Sequence, residues 1–513
     1  MHFLFFVHTE GMKREICTEY TRYLQAFTLT EEAFFRQRRE MGEGAPLLSV
    51  VIEGVGWRGL KEALGAQSTL RFEVLTDRPL GLPHERVLAG TSPHERALAS
   101  KGLGVAFLPF GALPRREWVY HMGRGLLEGG DLLYTDEDTP EGELIFKPGY
   151  GDYSLLCQNI LGRSAVMEKT LYARCGGWRN RSWEGWYDFL LRGGELSHKP
   201  MHIPLVLLTV PKQAPDEGVW PVEAAMRRRG LFGLAGKGKI SGTVLPRFFL
   251  EGQPAVTLLL RARGEVQPLK TLLEWVERRS VYPNFHWVLS CPPPRDGYMK
   301  AYLKALEQNG AAEVYIEEGT VPACLNRRAA EAKGAYLLCM EEGCLPLTAN
   351  FMGRLLEWAA LPRVGMVGSM LSLEDGRTLL PGTLPLFPYL AVEKGQGRLW
   401  TQVPRQVSCL PLGGTMVKRE TFLRAGGLEE GPERGWMEAL SLKLGRQGYA
   451  CVYCPQSRFS AQPKRGGKPK NQGFWDIFGP LLWEGDPLFN PNLGYEDPCL
   501  RPALPPLPPG ESL

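Results

Sequence analysis

Residues 46–54 read PLLSVVIEG and residues 254–262 read PAVTLLLRA. Both open on proline and run almost wholly apolar and β-branched, without polar alternation, as a strand buried on both faces of a parallel sheet must. Each leads into a helix-like segment, WRGLKEALGAQ (57–67) and LKTLLEWVERR (269–279), and then into a second strand-like run, RFEVLTD (71–77) and NFHWVLS (284–290). The correspondence continues through GVAFLPFGALP (104–114) and AYLLCMEEGCLP (335–346). It extends to LYARCGGW (171–178) and FLRAGGL (422–428), whose paired glycines suit a left-handed helix end. Finally YDFLLRGGELSHKPMHIP (187–204) matches ALSLKLGRQGYACVYCP (439–455), a helix running into a strand that ends in proline.

Strands alternating with helices predict an α/β fold, a mostly parallel sheet flanked by helices, present twice in tandem. The expected divisions are an N-terminal helical segment over 1–45, a first domain over 46–212 and a second over 254–462. Between them, 213–253 reads as a helix (PVEAAMRRRGLFG) followed by a flexible connection (LAGKGKISGTV), and 463–513 as an extension with a proline-rich end.

The totals exclude several classes. With 44% apolar and 23% charged residues over 513 positions, the chain is expected to be globular, in two to four domains of roughly 100–200 residues. A net charge of +4 is too small to imply nucleic acid as a partner. MHFLFFVHTEGMKRE at the start lacks the basic region and cleavage site of a leader. No window approaches the roughly 20 apolar residues of a spanning helix, and MHIPLVLLTV (201–210) reads as a buried strand. Eleven irregularly spaced cysteines read as reduced thiols, so a cytoplasmic location is expected. Cys451 and Cys454 form a lone CxxC without a second pair and read as part of a buried strand. GLAGKGK (233–239) is not a phosphate loop, because Ile240 stands where Ser or Thr is required. PKRGGKPK (463–470) reads as a solvated basic loop.

DLLYTDEDT (131–139), FKP (146–148), LLCQNILGR (155–163) and CGGW (175–178) resemble, in order and spacing, the first domain of a tandem bacterial type of family-2 glycosyltransferase with the GT-A fold. VYPNFHWV (281–288), CLNRRAAEAKGAYLL (324–338), VGMVGSMLSLEDGRTLLPG (364–382) and LSLKLGRQGYACVYCP (440–455) resemble its second, and GDPLFNPNLGYED (485–497) its closing segment. The resemblance implies two tandem GT-A-like, nucleotide-diphospho-sugar transferase domains. It implies a nucleotide-sugar donor, a glycan or lipid-linked acceptor and a part in surface polysaccharide synthesis, with peripheral contact at the inner membrane face allowed. Mg²⁺ or Mn²⁺ on a carboxylate pair would bridge the diphosphate, and an Asp would serve as general base.

Laid on that pattern, Asp77 keeps the nucleotide-binding acid of the first half. Pro109, Phe110, Gly111 and Ala112 stand in place of its metal ligands and Trp186 in place of its base, with Asp188 matching a second, helix-orienting acid. In the second half Ser290 replaces the nucleotide-binding acid, Glu341 and Glu342 stand in the metal segment, and Trp436 and Met437 take the acidic positions of the base, with Glu438 out of register. The acid run has two readings. Asp136 and Asp138 line the sugar-nucleotide or acceptor pocket, or Asp136 caps a turn while Glu137 and Asp138 face water. With these substitutions, a catalytically inactive scaffold or glycan- or partner-binding protein stands as the alternative to an active transferase.

Overall fold

A computed structural model describes residues 20–21, 23–26, 28–180, 182–212, 218–379, 391–392, 394, 397–431, 435–461, 476, 479, 485–493 and 500. PKRGGKPK and all of the proline-rich end except Leu500 lie outside the described residues.

Two large sheets form, with one strand order between them. The first runs Glu85–Val87, Phe72–Thr76, Leu48–Ile52, Gly104–Leu108, Val166–Glu168, Leu132–Asp138, Pro200–Thr209 and Leu113–Pro114. The second runs Glu313–Ile316, Phe285–Cys291, Val256–Arg261, Tyr336–Met340, Thr415–Lys418 and Val364–Ser372, the last flanked also by Ala450–Ser460. From Glu85–Val87 to Pro200–Thr209, each strand of the first has its counterpart in the second.

The expected parallel strands are there, buried at every position in Leu48–Ile52, Phe72–Thr76 and Gly104–Leu108. Both sheets are mixed but mostly parallel, with one reversed strand inside each. Val166–Glu168 and Thr415–Lys418 each run antiparallel to both neighbours. At 3 and 4 residues these strands are too short to show a period in the sequence. Helix Val266–Arg279 covers the second sheet with Val266, Leu269, Leu272, Leu273 and Val276, the stripe that a 3.6-residue period puts on one face. The glycine pairs end their helices as expected, with φ of 76° and 62° at Gly176 and Gly177 and 82° and 70° at Gly426 and Gly427. MHIPLVLLTV falls within strand Pro200–Thr209 and the residue after it, and Cys451 and Cys454 lie buried and unbridged in strand Ala450–Ser460.

The flexible connection is corrected. After helix Val219–Arg228 the chain forms an antiparallel hairpin, Gly233–Lys237 with Val244–Phe248. Its second strand buries alternate residues, Val244, Pro246 and Phe248, and Phe248 packs edge-on to Trp358 at 5.0 Å between ring centroids. That alternation holds the glycine-rich first strand in place. Direct bonds also join the two halves. Gln406 Oε1 accepts from the Tyr153 amide at 2.9 Å, and the Gln406 amide donates to Ser154 Oγ at 2.9 Å.

Glu117, at the start of helix Trp118–Leu127, is 7% exposed. Burial pushes its carboxyl up to about 7, with Arg115 and Arg116 opposing. A folded-state pKa above the unfolded one contributes stability that is full below the unfolded value and lost as pH rises through about 7. Glu117→Gln is therefore expected to flatten the pH dependence of stability between about pH 4.5 and 7. It should stabilise the protein above pH 7 by on the order of 2 kcal/mol, read from urea midpoints at pH 5 and 8.

Candidate functional site

The acid run is neither a turn nor water-facing. Asp136, Glu137 and Asp138 are the last residues of strand Leu132–Asp138, at 0%, 5% and 0% exposure. Buried carboxylates persist only where donors meet them, and these meet many. Asp136 Oδ1 accepts from the Lys147 amide at 2.9 Å and faces His202 Nε2 at 2.9 Å, the His202 ring being stacked on Tyr134. Asn490 Nδ2 donates to both Asp136 oxygens, at 3.0 and 2.8 Å. Glu137 Oε1 takes the amides of Arg163 and Ser164 at 2.7 and 2.6 Å and the Lys147 ammonium at 2.7 Å. Lys147 Nζ also donates to the Leu161 carbonyl and Ser164 Oγ, each at 2.9 Å. Burial pushes the Lys147 ammonium down, against the pull of Glu137. Asp138 pairs with Arg115 and accepts from the Tyr20 hydroxyl at 2.8 Å, while its Oδ1 is buried without a hydrogen-bond partner.

Two partners of Asp136, Asn490 and Asn492, come from the closing segment. Asn492 Nδ2 donates to the Pro204 carbonyl at 2.7 Å, beside the Asn490 contacts, and the Asn490 amide nitrogen also reaches the Lys147 carbonyl at 2.9 Å. The segment is fixed at its other end through Asp486, which accepts from Ser408 Oγ of the second half at 2.5 Å. GDPLFNPN therefore ties the acid run of the first sheet to the second.

At the strand ends of the first half, cationic and aromatic side chains fill the space. Arg163 NH2 lies 2.6 and 2.9 Å from the two oxygens of Glu53, which follows strand Leu48–Ile52. The guanidinium lies 4.5 Å from the ring of Trp186 and 5.4 Å from that of Trp178, a stacked cation held in a dry site. Trp186, fully buried, donates from Nε1 to the Gly162 carbonyl at 2.8 Å. Asp77, just after strand Phe72–Thr76, pairs with Arg78, whose hydrogen bond holds the Asp77 carboxyl below the usual range. Asp188 ion-pairs with Arg192 at 2.8 Å and Arg228 at 3.1 Å, which fixes the helix that carries it.

In the second half Ser290 ends up beside a carboxylate after all. Its hydroxyl donates to Glu317 Oε1 at 2.6 Å, and Arg261 donates to Ser290 Oγ at 2.8 Å. Burial works to raise the Glu317 carboxyl, yet the hydrogen bonds from Ser290 and Arg327 hold it below the usual range. Glu317 directly follows strand Glu313–Ile316, which pairs in parallel with the strand of Ser290. Sequence reading passed it over, although the run VYIEEG ends that strand in acids. Glu341 and Glu342 follow the central strand Tyr336–Met340. Arg263, just past strand Val256–Arg261, donates from its amide to Glu342 Oε1 at 3.1 Å and from its guanidinium to Glu341 at 3.3 Å. Burial raises the Glu342 carboxyl, and Glu342 Oε2 is buried without a hydrogen-bond partner. An orphaned carboxylate oxygen is a hard donor of the kind a divalent cation takes. Among the described residues no group of three or more His, Cys, Asp or Glu is placed to hold a metal. Met437 and Glu438 are buried in helix Trp436–Arg446.

No family model matches the chain. It is 23% identical over 417 residues to the O-antigen biosynthesis protein RfbC of Myxococcus xanthus, covering 71% of this chain and 31% of that protein. It is 23% identical over 415 residues to the uncharacterized protein y4gI of Sinorhizobium fredii, covering 71% of this chain and 45% of that one. The chain thus spans under half the length of either curated relative. Among solved structures it is similar to GalNAc-T7 with UDP, GalNAc and Mn²⁺, at a TM-score of 0.38 and 17% identity, over 46% of this chain and 51% of that one. It is similar also to the mannosyltransferase PcManGT of Pyrobaculum calidifontis with GDP-Man and Mn²⁺, at a TM-score of 0.31 and 17% identity, over 44% of this chain and 68% of that one. Over most of its length the chain is thus similar to a protein of O-antigen biosynthesis.

Proposed function

We propose that the chain is a tandem family-2 glycosyltransferase of surface polysaccharide synthesis in which the second half binds the nucleotide-sugar and the first serves as its scaffold. The carrying observation is the contrast between the two sets of strand ends. In the first half the Glu53–Arg163–Trp186 group fills the space with paired charge and stacked rings. In the second, Glu341 and Glu342 sit together at the end of a central strand with one carboxylate oxygen unpartnered. Those two residues would hold Mg²⁺ or Mn²⁺, which when bound neutralises a diphosphate leaving group. Glu317, oriented by Ser290 and Arg327, would accept from ribose hydroxyls or a base N–H. The domain divisions proposed are 46–212 and 254–462, and the acceptor proposed is a glycan or lipid-linked sugar met at the inner face of the membrane.

The test is calorimetric titration with UDP-, GDP- and dTDP-sugars, with and without Mn²⁺. One donor class is expected to bind with Mn²⁺, and Glu341→Ala/Glu342→Ala to weaken it about tenfold or more, the loss of a charge-charge contact of about 1.4 kcal/mol. Absence of binding to every donor in either condition would favour the second reading, a non-catalytic scaffold. One contact favours that reading: the Arg263 guanidinium already lies on Glu341 at 3.3 Å.

A further inference from the structure

The hairpin that replaces the expected linker presents an unusual outer face. Side chains two residues apart on a strand share a face, and register sets which lie opposite. Leu234 pairs with Arg247 and Gly236 with Leu245, and the Phe249 amide bonds the Phe232 carbonyl at 2.9 Å, which extends the ladder by one more pair. One face therefore carries Phe232, Leu234, Leu245, Arg247 and Phe249, opposite the buried Val244, Pro246 and Phe248. Phe232 is 79% exposed, Phe249 62% and Leu234 58%. Two phenylalanines side by side at such exposure, continued by a leucine, form a contiguous apolar strip rather than scattered surface residues.

The charge around the strip is mostly positive. From Glu223 to Glu251 the sequence holds Arg227, Arg228, Arg229, Lys237, Lys239 and Arg247 against two acids, Glu251 and Glu223, the latter accepting from the Ala235 amide at 3.5 Å. Arg228 and Arg229 pair with Glu195, and Arg247 with Glu357. Arg227 and Lys239 are exposed and make no ion pair among the described residues. Aromatic and aliphatic side chains on a rigid hairpin, flanked by uncommitted cations, match a surface that is negative outside and apolar beneath. A protein partner of ordinary surface would meet the same apolar strip without needing a flank rich in cations.

We infer that this hairpin face docks the protein on an anionic lipid bilayer, with Phe232, Leu234 and Phe249 entering the headgroup–acyl boundary and Arg227 and Lys239 on the lipid phosphates. The inference concerns a surface remote in sequence from Glu341 and Glu342 and requires no nucleotide-sugar, so it stands or falls separately from the transferase reading.

Co-sedimentation with vesicles tests it directly, using phosphatidylcholine alone and equal parts phosphatidylcholine and phosphatidylglycerol. The full chain is expected to bind the mixed vesicles, to bind the neutral ones weakly, and to be released as salt rises. Phe232→Ser/Phe249→Ser and, separately, Arg227→Glu/Lys239→Glu should each lower partitioning about tenfold or more. Melting temperatures equal to the parent would show both variants folded. If the phenylalanine variant does not fold, the charge variant alone decides. Equal binding to both vesicle types, no binding to either, or unchanged binding by a folded variant would overturn the inference. So would a dimer in sedimentation velocity that Phe232→Ser/Phe249→Ser dissolves, since the strip would then be covered by a second copy.

Discussion

Glu137→Ala is expected to destabilise the protein by about 3–5 kcal/mol, the usual cost of stranding a buried charge by removing its partner. Lys147 is 4% exposed and Glu137 5%, and Glu137 Oε1 also takes the Arg163 and Ser164 amides, so one truncation leaves an ammonium and two buried N–H groups short of an acceptor. The deficit should also depend on pH in a definite sense. Burial already lowers the Lys147 pKa, and losing Glu137, the largest opposing influence, lowers it further. A lysine depressed in the folded state gains stability as pH climbs toward its unfolded value of about 10.4 and loses it as pH falls. Urea midpoints should therefore show a smaller deficit for Glu137→Ala at pH 10 than at pH 7. Adding Lys147→Met should restore part of the loss at pH 7, because it removes the stranded charge but not the unpaired amides. A deficit below about 1 kcal/mol at pH 7 would mean that the pair is solvated.

Gly149→Ala should have the second largest effect, by a different route. A Cβ on Gly149 would come within 1.7 Å of the Pro487 carbonyl oxygen and 2.8 Å of its carbon. Both atoms are backbone, so no side chain can swing aside, and the closing segment itself has to move. Overpacking of this kind costs about 3 kcal/mol, the upper part of its ordinary range. Because Asn490 and Asn492 ride on that segment, displacing it also withdraws donors from Asp136. Limited proteolysis is expected to cut the Gly149→Ala protein near residues 485–493 much faster than the parent. Equal protection together with an unchanged urea midpoint would show that the segment is not wedged against Gly149.

The sheet strands were legible because burial on both faces leaves its mark directly in composition, as in PLLSVVIEG and PAVTLLLRA. The glycine pairs were legible because a left-handed helix end accepts few other residues. The acid run left two readings open for the same physical reason in reverse. Consecutive acids ordinarily mean water, and what makes burial tolerable here is a set of donors from Lys147, His202, Asn490 and the amides of Arg163 and Ser164, most of them far away in the chain. The hairpin escaped because LAGKGKISGTV is rich in glycine, and its order derives from the buried alternation of the following strand. Ser290 looked like a lost acid because the carboxylate it contacts, Glu317, belongs to the neighbouring strand. Asp77, by contrast, was found where it was sought, at the end of its strand, yet it is bonded to Arg78.

The bond from Asn490 to Asp136 spans 354 positions. During synthesis, at roughly 5–20 residues per second, Asp136 would leave the ribosome about 20–70 seconds before Asn490 is made. Over that interval the nascent first half has to keep a carboxylate in its interior with part of its donor set missing, held by His202 and the Lys147 amide alone. The chain's early half thus matures only when its late residues arrive, and stalled translation before Asn490 would leave it open to chaperones and proteases.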